Sequence, residues 1–189
     1  MDAILLQADE VLVKPFDVEQ LAGLIDKRML TFKSSPKPGK EGVASILDRD
    51  IAITMKRWLS RVEQVSELSS LPLSAEQRTE HLPEMMKDIT ARLRADRAIE
   101  VVDRASPAAV AHGQTRCLQG YTAPQIVQES RILQVCIFET IERNTATVDY
   151  NSMLPDIMII TDEVDSQLKQ SIGSFLTSAA PGAALPSSA

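Results

Sequence analysis

Apolar positions along this chain recur at intervals of three and four over long stretches, and that period becomes sustained near Ser45. A first helix is expected from about Ser45 to Val65, with Ile46, Ile51, Met55, Trp58, Leu59 and Val62 on one broad apolar face. Ser74-Ala75-Glu76-Gln77 has the spacing of a capping box, so a short helix opens there. Pro83 favours a fresh start, because proline is tolerated in a first turn, and the helix behind it carries Met85, Met86, Ile89 and Leu93. Pro107 opens another helix, which runs to Gly120, a residue suited to the left-handed position past a helix end. Thr122 is the expected cap of a helix beginning near Pro124, with Ile126, Val127, Leu133, Ile137 and Ile141 on it. The last helix, from about Asp149 to Thr177, spaces Leu154, Ile157, Thr161, Val164, Leu168 and Phe175 like a coiled-coil stripe. That stripe reads either as a dimer seam or as the core face of a bundle.

Ahead of this helical zone, which spans about residues 44–178, the pattern differs. Glu10-Val11-Leu12-Val13-Lys14-Pro15-Phe16 reads as an apolar strand ending in Lys-Pro-Phe. Asp17 then caps an amphipathic helix with Leu21, Leu24, Ile25 and Leu30. Strand, turn and helix in that order suit an open α/β sheet of flavodoxin-like type. Residues 31–43 (TFKSSPKPGKEGV) have no apolar period and are expected to be a flexible linker. The small-residue tail at 179–189 is expected to be disordered. The fold class expected is mainly α, a helical bundle or non-haem globin-like domain, preceded by a residual strand and helix.

Composition narrows the function. Of 189 residues, 44% are apolar but only 4% aromatic, so the core is built from aliphatic side chains, as helix packing prefers. The net charge of −6, with no cluster of Lys or Arg, argues against nucleic acid as a partner. Met1-Asp2 does not begin a secretory signal, and no apolar run approaches the ~20 residues of a membrane span. Cys117 and Cys136 lack metal or redox spacing and read as small hydrophobes in a reduced, cytoplasmic chain.

ADEVLVKPFDVEQLAGLI, residues 8–25, resembles the last strand and helix of a response-regulator receiver domain. The resemblance covers about residues 1–30. It implies that Lys14 is the lysine that contacts a phosphoryl group and that Pro15 follows a cis peptide. The phosphoacceptor aspartate, the acidic metal-binding pair and the switch Thr or Ser would lie ahead of Met1. Phosphotransfer by this chain alone is therefore not expected.

The stretch from Trp58 to Phe175 resembles the N-terminal domain of RsbR/RsbRD-type co-antagonists, the stressosome regulators. The residues that carry this are Trp58-Leu59, His81-Leu82-Pro83-Glu84, His112-Gly113 with Arg116, Gly120-Tyr121, and Glu129 with Leu133. The resemblance implies an all-α domain that senses or transmits a signal through protein contacts, often as a dimer, with no catalytic residues. Expected partners are a kinase or other signalling proteins, and a second copy through the last helix; no cofactor is expected.

His112 and Arg116 can also be read without the family. They lie four apart, hence on one face of a helix, and Glu129 on the next helix is in reach of Arg116 if the two helices pack antiparallel. With Tyr121 they form either a polar cluster at a signal-input site or an architectural ion pair pinning the corner at Gly120-Tyr121. His81 and His112 have no HxxxH, HExxH or Cys partner, so no metal site is expected. A single axial histidine suffices for haem, which keeps a globin-like ligand or haem sensor as the alternative. GxSxG motifs and Gly-rich phosphate loops are missing from the sequence, so no catalytic constellation is expected.

Overall fold

In the computed structural model the chain divides into two units, Met1–Pro38 and Gly39–Ala189. The structure describes residues 40–95 and 104–180 of the second unit; of the first it describes only Glu19, Ala22 and Gly23, all helical. The expected strand from Glu10 to Phe16, with Lys14 and Pro15, lies outside the described residues, as do most of the expected linker and residues 181–189.

The described part of the second unit is mainly helical, as the period of its apolar residues implies. Its helices are α1 (Val43–Arg49), α2 (Ile51–Gln64), α3 (Ser66–Ser69), α4 (Ala75–Thr79), α5 (Leu82–Arg94), α6 (Pro107–Leu118), α7 (Ala123–Arg143) and α8 (Tyr150–Ala179). The single expected helix from Ser45 to Val65 is divided at Asp50. Arg49 and Asn144 both hydrogen-bond the Asp50 carboxylate, and its carbonyl accepts from Thr54 N at 2.9 Å, so Asp50 serves as the joint. Glu41 and Val43, at the end of the expected linker, are held in the fold. Glu41 exchanges backbone hydrogen bonds with Thr147 (2.8 Å) and Asp149 (3.0 Å), an isolated bridge beside Val148, and Val43 is fully buried.

Local chemistry sets most of the helix ends. Ser74 Oγ accepts from Gln77 N at 3.2 Å while the Gln77 carboxamide accepts from Ser74 N at 2.9 Å, the reciprocal pair expected there. Ser106 opens α6 by accepting from Ala109 N at 3.1 Å, and Pro107 follows it. At the start of α7 the Gln125 carboxamide accepts from Thr122 N at 2.8 Å. Gly120, at φ 79°, holds the left-handed turn between α6 and α7, a conformation in which any Cβ is strained.

The core has one aliphatic body, in which Ile46, Leu47, Val62, Met86, Ile89, Ile137 and Ile160 are all inaccessible to water. Trp58 joins them, and its indole N–H donates to Glu129 O at 3.1 Å, tying α2 to α7. Pairing is most extensive between α6 and α8. There the backbones approach so closely that a Cβ on Gly113 would overlap Ser171 O and Ser174 Oγ. Ser171 Oγ donates to Ala109 O and Ser174 Oγ to Val110 O, each at 2.8 Å, so the two helices are joined by serine hydroxyls as well as by contact.

Candidate functional site

Arg116 is 1% exposed and uses its guanidinium to join three elements. Its Nε donates to Glu129 Oε2 at 2.8 Å. Nη1 donates to Gln77 O (3.1 Å) and to Gln119 Oε1 (2.6 Å), and Nη2 to Arg78 O (2.6 Å). Gln77 and Arg78 end α4, where carbonyls run out of intrahelical partners and a cation is favoured. The guanidinium carbon also sits 4.7 Å from the centre of the Tyr121 ring. Tyr121 OH donates to Glu129 Oε1 at 2.6 Å, so each carboxylate oxygen of Glu129 is engaged.

His112 is the fourth member. Its Nε2 lies 3.6 Å from Glu129 Oε2, and its ring meets that of His81 edge-on with centroids 6.1 Å apart. His81 in turn hydrogen-bonds Thr115 Oγ1 at 3.1 Å. The structure thus brings His112, Arg116, Tyr121 and Glu129 together. It does so without the antiparallel packing of α6 on α7 that such a contact was expected to need. α6 lies along α8 instead, and the long Arg116 side chain crosses the corner.

Burial governs the protonation of this group. It pushes the His112 pKa well below its ordinary value, and the positive charge of Arg116 and the nearby His81 add to that, so His112 is a neutral imidazole. Burial also raises the Glu129 carboxyl, opposed by Arg116 and by the Tyr121 hydrogen bond. The Tyr121 phenol is raised by burial first and by the carboxylate beside it second. A neutral imidazole, a carboxylate with both oxygens occupied and a phenol held protonated favour holding a geometry over moving a proton.

Sequence reasoning missed Arg78, which is 4% exposed and donates to Leu68 O (3.0 Å) and Leu71 O (2.7 Å). It also missed a second buried ion pair, in which Arg92 Nη1 meets Glu163 Oε2 at 2.8 Å and Nη2 meets Asp162. Both arginines announced themselves only as basic residues in the last turn of a helix, Arg78 in α4 and Arg92 in α5.

A cavity of about 20 Å³ lies against His112 and Glu129, walled by Trp58, Leu133, Gln167 and Ser171 among others. Ligand pockets of drug size run to roughly 300 Å³ and more, so a porphyrin does not fit beside His112. Among the described residues no three His, Cys, Asp or Glu side chains could hold a metal ion, and no helix is long and apolar enough to cross a membrane. Cys136 is buried, which raises its thiol pKa, and Cys117 is half-buried; both are free thiols. Comparison with family models, curated proteins and solved structures found no match.

Proposed function

We propose that this chain is a non-catalytic, cytoplasmic regulatory module of the two-component or stress-response type, acting by protein–protein contacts. In this reading residues 1–30 are the end of a response-regulator receiver. Residues 44–178 are then an output domain of RsbRD N-terminal type that self-associates through its last helix and meets a kinase or another signalling protein.

One observation carries the reading: the two faces of α8. Its inner face is taken up by the bundle through Ile159, Ile160, Glu163, Val164 and Gln167. Its outer face repeats Tyr150, Leu154 and Met158 every four residues at 59%, 67% and 50% exposure. Large apolar groups in register on an otherwise satisfied helix mark a contact surface. The buried His112, Arg116, Tyr121 and Glu129 group supports the same reading as the rigid corner on which α6 bears against α8.

Size exclusion with light scattering on the full chain tests it, with Leu154→Ser/Met158→Ser as the variant. The expected result is a dimer that the double substitution converts to monomer at unchanged helicity. A wild-type chain that stays monomeric at high concentration overturns the self-association.

A further inference from the structure

Gln167, on α8, is 1% exposed. Its Nε2 donates to Met85 O at 3.0 Å and to Glu163 Oε1 at 3.2 Å. Both partners are acceptors, so the carboxamide has one workable orientation. Rotating it by half a turn would set its oxygen against two others. Oε1 is thereby committed to the other side, where it accepts no hydrogen bond from any described protein group. Buried acceptors without partners are rare in folded chains and call for a reason.

The surroundings supply one. Gln167 lines the cavity of about 20 Å³ shared with His112, Glu129 and Ser171. That volume exceeds the ~10–15 Å³ needed to seat one water molecule and leaves no room for a ring. Its polar wall offers Glu129, Gln167 Oε1 and Ser171 Oγ as acceptors, beside the His112 imidazole and the Ser130 hydroxyl. Ser171 Oγ has spent its hydrogen on Ala109 O, and both Glu129 oxygens carry negative charge shared with Arg116 and Tyr121. The remaining wall is apolar, from Trp58 and Leu133 among others. A space of this size, with Gln167 Oε1 and the Glu129 carboxylate among its acceptors, takes a compact molecule that can donate more than one hydrogen.

We infer that this cavity is a binding site for one water-sized hydrogen-bond donor, which gives one hydrogen to Gln167 Oε1 and another to the wall formed by Glu129, His112 and Ser171. Such a molecule joins two buried networks that no hydrogen bond among the described residues links directly. One runs from Arg92 through Glu163 to Gln167 on α5 and α8; the other is the Arg116, Glu129 and Tyr121 group at the α6–α7 corner. The inference stands on these contacts and does not depend on the regulatory reading.

A high-resolution crystal structure of the full chain, grown without ammonium salts so that water is the donor supplied, tests it. The expected result is a single-atom peak within about 2.6–3.2 Å of Gln167 Oε1. Gln167→Met, which keeps the bulk and removes the acceptor, should lose that peak at unchanged helicity. A cavity without density in the wild-type chain overturns the inference. So does a Ser130 hydroxyl turned onto Gln167 Oε1, or a peak that persists in Gln167→Met. Should Gln167→Met fail to fold, the wild-type density alone decides.

Discussion

The two ends of the core are built on different chemistry. Where α1 and α2 meet α7, Ile46, Leu47, Val62, Cys136, Ile137 and Ile141 exclude water and the Thr54–Thr140 hydroxyl pair is the prominent polar contact. Where α5 and α6 meet α8, buried aliphatic residues such as Met86, Ile89, Ile160 and Val164 are joined by buried Arg92, Arg116, Glu163, Ser166, Gln167 and Ser171, with Gly113 admitting the backbone of α8. The aliphatic end gains stability roughly in proportion to area and tolerates volume-conserving change. The polar end gains little net energy from each pair, because desolvation consumes most of the attraction, yet it suffers heavily from losing one partner.

Gly113→Val is the harshest way to break the polar end. Its Cβ would fall inside Ser171 O, which belongs to backbone and cannot turn aside. The α6–α8 interface must open, and the expected loss is about 4 kcal/mol or more, enough to leave much of the chain unfolded in chemical denaturation. Gly173, exposed within α8, has open space around a notional Cβ, so Gly173→Ala is the matched control and should be neutral or stabilising by up to about 1 kcal/mol.

Arg116→Met comes next. It leaves Glu129 buried without its cation and strips the α4 carbonyls of Gln77 and Arg78 of their donor. A loss of about 3–5 kcal/mol is expected in denaturant titration. Arg116→Met/Glu129→Gln should cost less than the sum of the two single changes, because the orphaned charge disappears with it. Strict additivity would mean the pair is not coupled as its 2.8 Å contact implies.

At the aliphatic end, Ile137→Val removes one methylene from a residue with no exposure and should cost about 0.5–1.5 kcal/mol, with the fold otherwise intact. Its modest effect beside Arg116→Met would sharpen the contrast between the two ends.

How much of this was legible in the sequence follows the same division. Apolar period and punctuation placed α4 to α7: Ser74, Pro83, Pro107 and Gly120 act locally, through backbone geometry and caps, and local signals survive without knowledge of the fold. The joint at Asp50 was hidden because it depends on Asn144, 94 residues away. The inner face of α8 was misread for a related reason. Of the stripe Leu154, Ile157, Thr161, Val164, Leu168 and Phe175, Val164 and Phe175 are buried, Leu154 is 67% exposed and the rest are half-buried. Ser152, Asp156, Glu163, Ser166 and Ser171 are buried instead. A polar residue counts as solvent-facing in any hydrophobic pattern, and for Glu163 and Ser171 it is partners on α5 and α6, Arg92 and the Ala109 carbonyl, that make burial tolerable. Val127, one of the apolar residues of α7, is 37% exposed. The His112, Arg116, Tyr121 and Glu129 group was within reach because its members are near in sequence and complementary in charge.

The smallest of these effects is also the most selective for the polar end. The folded chain holds His112 neutral well below the ordinary histidine pKa of 6.5, while the unfolded chain protonates it near that value. Between those two pKa values the unfolded state binds the extra proton, so stability falls as the pH drops below about 6.5 and is constant with respect to this group above it. From pH 8 to pH 6 the expected cost is about 0.8 kcal/mol, steepening toward about 1.4 kcal/mol per pH unit further down. Carboxylates elsewhere also titrate in acid, so the quantity to measure is the difference between wild type and His112→Gln in urea unfolding across pH 5–8. The wild-type curve should fall away from that of the variant below pH 6.5. Parallel curves would mean that His112 is not held neutral by its burial between Arg116 and His81, and that the polar end is looser than its hydrogen bonds indicate.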